Sequence, residues 1–153
     1  MSGIVDGYDD KNNDDFNIVI SIESKWIEHL KSGALLNIVR KRVPKSIFPK
    51  FVYMHANYPV SAIVAKAKLC SLKRVSVEEA INLADDLMMT VEDVEKYVGD
   101  SKLIGFLKFS DVDFAENLAK SDILRNEFDY NPPQSFCFLS DTESKIIDRI
   151  CGF

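Results

Sequence analysis

The chemically most distinctive part of the chain is a row of three cations, Arg40, Lys41 and Arg42, at the end of an apolar run. The run reads L-L-N-I-V-R-K-R and begins at Leu35, directly after a small-residue break. A guanidinium carries planar, forked donors that suit a phosphate group or the edge of a base. The cluster therefore predicts either a wall that faces an anion or the solvated end of an ordinary strand.

The net charge of −5 conceals three blocks of different sign. Residues 1–24 carry six acids and one base, residues 25–74 eleven bases and one acid, and residues 75–153 seven bases and seventeen acids. A local positive field steers phosphates whatever the overall charge of the protein. The middle block predicts a face that attracts polyanions, unless its cations interleave with acids in the fold and are cancelled there.

Other reactive groups are sparse. Cys70, Cys137 and Cys151 lie far apart, and His29 and His55 fall at no metal-ligand spacing from them. We therefore expect buried, unpaired cysteines, no disulfide, and no metal or other cofactor. The sequence contains no Gly-rich phosphate loop, nucleophile elbow or zinc-protease motif, and two distant histidines disfavour a His-based triad.

Length and composition indicate a single soluble domain. A chain of 153 residues is long enough to bury a core. Its composition, 46% hydrophobic and 28% charged, is typical of a soluble globular protein. No apolar run approaches the ~18 residues of a membrane span, and the N-terminal sequence lacks the apolar region of a signal peptide. We expect a cytoplasmic protein with no membrane partner, in which residues 1–15 form a flexible acidic tail before one domain over residues 16–153.

Hydrophobic periodicity predicts the elements that must position these groups. Strands are predicted over residues 18–22, 35–42, 51–55, 61–75, 102–112 and 135–139. Helices are predicted over 25–31 behind an N-cap at Ser24, after N-caps at Ser76 and Thr90, near 121–126, and from Asp141 or Thr142 to Ile150. Five or six mixed strands with two to four helices indicate an α+β fold built on a small, partly open β-barrel.

Four stretches of the sequence carry a resemblance to a known family. They read I-V-I-S-I-E-S-K-W-I-E-H-L-K-S-G from Ile18, V-R-K-R from Val39, F-V-Y-M-H-A-N-Y-P-V-S-A-I-V-A-K-A from Phe51 and N-P-P-Q-S-F-C-F-L from Asn131. In this order they resemble the ASCH domain (activating signal cointegrator homology), and bacterial and phage members described as transcriptional regulators most of all. The resemblance spans roughly residues 17–140 and implies a PUA-like β-barrel that binds RNA or modified nucleotides in a cleft.

The family's hallmark after the first helix is G-x-K-x-x-E-x-R. Gly33 and Arg40 match it, whereas Leu35 stands at the lysine position and Ile38 at the glutamate position. Some small ASCH proteins are amidohydrolases that act on acetylated cytidine derivatives through that lysine. Leucine can neither attack a substrate nor relay a proton, so hydrolysis by that route is disfavoured. A hydrolase would need another set, such as Lys25 with an acid from residues 76–98, which we term the helical insertion.

The resemblance also supplies a set of binding residues. It places Arg40 in the cleft, and a strand period of two adds Arg42 on the same face. Lys25 matches a lysine at the start of the family's first helix and is a candidate phosphate contact. The candidate stacking surfaces are Tyr53, His55 and Tyr58, and the candidate hydrogen-bonding groups for a base are Asn57, Gln134 and Ser135.

Simpler roles fit several of these residues equally well. Tyr53 is also consistent with a place in the core, His55 and Asn57 with turn formation, and Gln134 with a loop cap. For Arg40 we favour a functional role, because Ile38 replaces the acid that would compensate its charge and an unpaired buried charge is costly.

The sequence thus supports three functions, of which we favour the first. It is a non-enzymatic ASCH-type module that binds RNA or a modified nucleotide in a basic cleft. The second is a small hydrolase of an acylated nucleoside that uses Lys25. The third is a protein-interaction module that acts through the acidic tail or the helical insertion, with the tail also competing with nucleic acid for the cleft. The sequence specifies no oligomeric state.

Overall fold

A computed structural model describes residues 16–45 and 48–153, which form six strands and five α-helices. The strands are β1 (Phe16–Ile22), β2 (Asn37–Arg40), β3 (Phe51–Ala56), β4 (Ala62–Ser76), β5 (Leu103–Lys120) and β6 (Phe136–Ser140). The helices are α1 (Ile27–Lys31), α2 (Val77–Asn82), α3 (Val91–Val98), α4 (Ser121–Phe128) and α5 (Asp141–Cys151). Short 3-10 turns cover Ser24–Trp26 and Ala84–Leu87. The predicted acidic tail, residues 1–15, lies outside the described residues.

The strands form one mixed sheet in the order β2-β5-β4-β3-β1-β6. β1 and β3 are parallel, and every other neighbouring pair is antiparallel. The predicted α+β class with five or six mixed strands is confirmed, whereas the five α-helices of the described residues exceed the predicted two to four. In the described part of the chain, the edge strands β2 and β6 do not pair with each other, so the sheet is not closed into a barrel.

Alternation along β1 explains how the sheet buries both of its faces. Ile18 and Ile20 belong to a core that includes Leu30 of α1, whereas Val19 between them belongs to a core under α4 and α5. Successive side chains of a strand point to opposite faces, so a β-branched run with helices on both sides is buried throughout. A third core lies between β4, β5 and the helical insertion, which packs Leu87 against the sheet.

Two of the predicted helix caps are confirmed and two are wrong. Ser76 and Thr90 accept hydrogen bonds from the backbone N–H groups at the starts of α2 and α3. The C-terminal helix is capped by Ser140 rather than by Asp141 or Thr142, because Ser140 forms a reciprocal capping box with Glu143. Ser24 caps no helix, since its hydroxyl donates instead to the carbonyl of Asn57 at 2.8 Å.

Two strand predictions also need correction. β2 is only four residues long and ends at Arg40, two residues before the predicted end. β5 continues to Lys120, eight residues past its predicted end, because it pairs with β4 as far as Ala62 opposite Lys120. Along this extension the polar residues are exposed, whereas Phe114 and Leu118 are half-buried and Ala115 and Ala119 are buried.

The three cysteines differ in their exposure to solvent. All three cysteines are free, but Cys70 is exposed, so the prediction of burial is wrong for that residue. Cys137 is half-buried and Cys151 is buried.

Among the described helices, none has the length and apolar content needed to cross a membrane.

Candidate nucleotide-binding cleft

A cleft of about 740 Å³ opens between the end of β1, strand β2 and the helical insertion. This volume is within the range of small-molecule sites. The lining includes cations, aromatic rings, methionines and amides, namely Lys25, Trp26, Asn37, Arg40, Asn57, Met88, Met89, Lys96, Tyr97 and Gln134. Two acids, Glu23 and Asp93, also line it, so the charged side chains of the cleft have a net charge of only +1.

Arg40 is the most constrained cation of the cleft. Its Nη2 donates to the backbone carbonyl of Ser21 at 2.6 Å, and its Nη1 donates to the carbonyl of Val39 at 2.7 Å. No carboxylate forms an ion pair with it among the residues that the structure describes. A guanidinium has five N–H donors, so these two bonds fix its orientation and leave further donors for a ligand.

Burial lowers the pKa of Arg40 from its usual value, and the neighbouring Tyr97 and Glu23 oppose that shift. The shift records the cost of desolvating the charge, which Tyr97 and the Glu23 carboxylate offset only in part. The positive field of this side chain is therefore available to an anion that enters the cleft.

The two departures from the family hallmark lie in this cleft. Leu35 and Ile38 both line it and are 2% and 7% exposed. The positions of the family's lysine and glutamate are thus occupied by apolar surface beside Arg40. Between Leu35 and Arg40 the wall therefore contains no lysine and no acid.

Lys25 and Trp26 form part of the cleft wall that follows β1. Lys25 is exposed, and its Nζ lies 3.5 Å from the Glu23 carboxylate and 5.3 Å from the centroid of the Trp26 ring. Trp26 is half-buried and lies beside His29. An aromatic face with a cation above it offers a base both a stacking surface and a charge.

The helical insertion contributes a wall of the cleft that the sequence did not predict. Tyr97 of α3 accepts a hydrogen bond from the backbone N–H of Lys41 at 3.3 Å, which ties the insertion to the end of β2. Asn37 makes a second link, donating to the carbonyl of Asp86 at 3.4 Å. The only sequence signal for this wall is the pair Met88-Met89, because methionines adapt to ligands of different shapes.

Comparison with known proteins identifies the fold. No protein-family model and no curated protein sequence matches the chain. A serine-to-alanine variant of ZmASCH, an ASCH protein from Zymomonas mobilis, superposes with a TM-score of 0.80 at 17% identity, covering 90% of this chain and 97% of that one. Another structure of ASCH from Zymomonas mobilis gives 0.76 at 18% identity, covering 84% and 91%. The chain has the ASCH-domain fold.

The chain is also similar in structure, at a lower TM-score, to a domain of a second protein. The N-terminal domain of McrB from Staphylothermus marinus superposes with a TM-score of 0.60 at 9% identity, covering 87% of this chain and 93% of that one. At this identity the likeness concerns the fold, and the residues of the cleft have to be argued from their own geometry.

Within this ASCH fold, four of the predicted binding residues line the cleft: Lys25, Arg40, Asn57 and Gln134. The backbone N–H of Asn57 donates to the carbonyl of Ile22 at 2.9 Å, which places the turn after β3 beside the end of β1. The hydroxyl of Ser21 donates to the carbonyl of Pro133, which holds the loop carrying Gln134 against β1. Strands remote in sequence thus bring these four together.

Arg42 and Ser135 lie outside the cleft. The prediction that Arg42 shares a strand face with Arg40 is wrong, because β2 ends at Arg40 and the period of two does not continue beyond it. Arg42 and Ser135 line a separate groove. Tyr58 lines neither surface, although its side chain is highly exposed on the turn after β3.

Tyr53 and His55 are not available for stacking, because they are 0% and 2% exposed. The hydroxyl of Tyr53 donates to Oδ1 of Asp148 at 2.8 Å, and burial raises its pKa. His55 Nδ1 lies 3.1 Å from the Tyr130 hydroxyl, and burial lowers the pKa of His55 to about 4. Both side chains serve the core, which is the simpler role that the sequence had left open for Tyr53.

Proposed function

We propose that this protein is a non-enzymatic module that binds RNA or a modified nucleotide in the cleft beside Arg40. The observation that carries the proposal is the guanidinium of Arg40, which is partly buried and held by two backbone carbonyls without a carboxylate partner among the described residues. A cation in this state gains most from a phosphate group, because phosphate can accept its remaining donors in a bidentate geometry.

The rest of the cleft fits a nucleoside. Trp26 and Tyr97 provide aromatic surfaces, and the amides of Asn37, Asn57 and Gln134 can pair with the edge of a base. The sequence resemblance to ASCH domains implies the same class of ligand. A role in transcriptional regulation, which that resemblance also implies, stays a prediction.

The experiment is a fluorescence-anisotropy titration with a mixed single-stranded RNA pool at ~50 and ~200 mM salt. We expect Arg40→Ala to weaken binding about tenfold, since a hydrogen bond to a charged group is worth ~1.5–3 kcal/mol. The salt slope should become shallower by about 0.7, the value for one lost contact to a single-strand phosphate. Arg40→Lys keeps the charge but not the fork, so it should recover the slope more fully than the affinity.

Arg125→Ala is the matched control, because Arg125 is exposed on α4 and lines neither the cleft nor the groove. Circular dichroism should first show that each variant is folded. An Arg40→Ala protein that binds RNA as tightly as the Arg125→Ala protein at matched salt would contradict the assignment of the cleft.

The hydrolase predicted from the sequence uses Lys25 with an acid of the helical insertion, and Asp93 is the acid of that insertion that lines the cleft. Lys25 is exposed and paired with Glu23, which is not the desolvated setting that activates a lysine nucleophile. The binding module is therefore the function we propose. Turnover of acylated nucleosides that disappears in Lys25→Ala would replace it with the hydrolase.

A further inference from the structure

A second surface of the molecule, which we term the groove, is more basic than the cleft. It has a volume of about 930 Å³, and its lining includes the four cations Lys41, Arg42, Lys45 and Arg74. No described residue that lines the groove carries a carboxylate. The groove therefore concentrates on one surface the positive charge that the cleft largely balances with its own acids.

The four cations are also free of ion pairs. In the described part of the chain, no carboxylate lies within ion-pairing distance of any of them, and all four side chains are exposed. Uncompensated cations that converge on one concave surface produce a local field that attracts a polyanion.

The fold places these cations side by side. Arg40 at the end of β2 and Arg74 of β4 are both paired with Gly105 of β5. These three residues therefore lie in one row across three neighbouring strands. A Cβ atom at position 105 would collide with the side chain of Val43, so glycine there lets the segment after β2 lie close against β5. The segment that carries Lys41 to Lys45 is thereby held beside Arg74.

Aromatic rings from the opposite edge of the sheet also line the groove. Phe136 and Phe138 of β6 lie 5.5 Å apart between centroids at an interplanar angle of 88°, and Phe138 is 42% exposed. The groove therefore lies where the edges β2 and β6 leave the sheet unclosed. Exposed aromatic rings among cations are typical of surfaces that bind single-stranded nucleic acid, because the bases stack on the rings.

The cleft and the groove are continuous. Gln134 lines both, and Arg40 of the cleft directly precedes Lys41 of the groove. The backbone N–H of Lys41 donates to the hydroxyl of Tyr97 in the cleft, and its Nζ lies 5.6 Å from the centroid of that ring. A chain of nucleotides with one base in the cleft can thus continue along the groove.

We propose that the groove binds the sugar–phosphate backbone and a stacked base next to the nucleotide in the cleft. The ligand is then a single strand several nucleotides long rather than a free nucleotide. This inference rests on the proposed function of the cleft. A duplex is disfavoured, because its stacked bases cannot reach Phe138.

The test compares two fluorescent probes, a mononucleotide and a mixed-sequence RNA of roughly ten nucleotides, within the usual length range of single-strand sites. The groove variant Arg42→Gln/Arg74→Gln is matched by Arg125→Gln/Arg149→Gln, which removes the same two charges from exposed positions away from both surfaces. We expect the groove variant to bind the RNA at least tenfold more weakly, with a salt slope shallower by about 1.4 for two lost contacts. Its affinity for the mononucleotide should not change.

Phe138→Ala separates stacking from charge. We expect it to weaken RNA binding about fivefold or more without changing the salt slope, because it removes a stacking surface and no cation. Phe138 forms an edge contact with Phe16 at 6.0 Å, so the melting temperature of this variant should be measured alongside its affinity.

The outcomes separate the two proposals. Equal RNA affinities and salt slopes for the groove variant and its matched control would overturn the groove, even if Arg40→Lys lowered the affinity for both probes. Loss of RNA binding in the groove variant with no effect of Arg40→Lys on either probe would instead overturn the cleft. Binding of a duplex as tight as that of the single strand would overturn the choice of ligand, and no binding of either probe would overturn both proposals.

Discussion

Two partly buried cations of the sheet, Arg40 in the cleft and Lys66 under α5, have very different partners. Lys66 lies 3.0 and 3.1 Å from the two carboxylate oxygens of Asp148, which also accepts from the Tyr53 hydroxyl. Its Nζ lies 4.4 Å from the centroid of the Phe51 ring. Arg40 has two backbone carbonyls and no acid among the described residues. We call Tyr53, Lys66 and Asp148 the α5 polar cluster.

The difference shows how to tell a structural cation from one that is poised to bind. In the α5 polar cluster each charge has its counter-charge, so the group contributes to stability and offers nothing to a ligand. At Arg40 neutral carbonyls hold the guanidinium in place without cancelling its charge. Substitutions in the first region should therefore alter stability and not binding, and substitutions in the second should do the reverse.

The largest effect should follow from breaking the α5 polar cluster. Asp148→Ala leaves Lys66 partly buried without its acid, and we expect the free energy of unfolding to fall by about 3 kcal/mol. Urea denaturation measures this change, and the anisotropy assay should show RNA affinity unchanged. Glu127→Ala is the control, because it breaks an exposed pair with Arg149 that is worth less than ~1 kcal/mol. Equal losses in the two variants would contradict the contrast.

An intermediate effect should come from His55, which lies buried beside Tyr130. Its pKa in the folded protein is about 4, below the unfolded value, so acid favours the unfolded chain. The stabilisation is complete above the unfolded pKa of ~6.5, and about 2 kcal/mol of it should be lost between about pH 7 and about pH 5. Comparing the pH dependence of unfolding in wild type and His55→Gln isolates this residue. Identical slopes in the two proteins would exclude the predicted burial effect.

The smallest effect concerns the acidic tail, whose charge makes it a candidate competitor with nucleic acid for the basic surface. Residues 1–15 hold five acids and one base. Their deletion should raise RNA affinity by a few-fold at ~50 mM salt and by much less at ~200 mM, because salt screens interactions between exposed charges. A full-length chain in which the five aspartates of residues 1–15 are changed to asparagine removes the acidic charge but keeps the length of the tail. Unchanged RNA affinity in both proteins would contradict competition by the tail.

The sequence predicted the elements well because each depends on local patterns. The β-branched run of β1 and the caps at Ser76 and Thr90 need only neighbouring residues. The composition of residues 51–55 predicted a strand, but it could not show that α5 covers the face of β3 on which Tyr53 lies. The exposure of Phe138 in β6 could not be predicted either, because it depends on the edge at which the sheet is not closed.

The charge pattern of the sequence predicted the sign of the charge on the binding surfaces, but not where each charged side chain lies in the fold. The middle block of the chain supplies all four cations of the groove and two cations of the cleft, Lys25 and Arg40, whereas the third cleft cation, Lys96, comes from the acidic block. Lys66 of the middle block is nevertheless cancelled by Asp148, and Lys25 pairs with Glu23. The contribution of Tyr97 could not be predicted, because it comes from a helix 56 positions after Lys41, the residue it contacts.

Trp26 gives the cleft a reporter of its own. It is the single tryptophan of the chain, it is half-buried, and it lines the cleft. Emission excited at the red edge of protein absorption therefore comes from one indole beside Arg40. Quenching by an unlabelled nucleotide would reveal occupancy of the cleft alone, whereas a probe attached to the RNA senses the cleft and the groove together. The native protein can thus distinguish the two surfaces spectroscopically without any added dye.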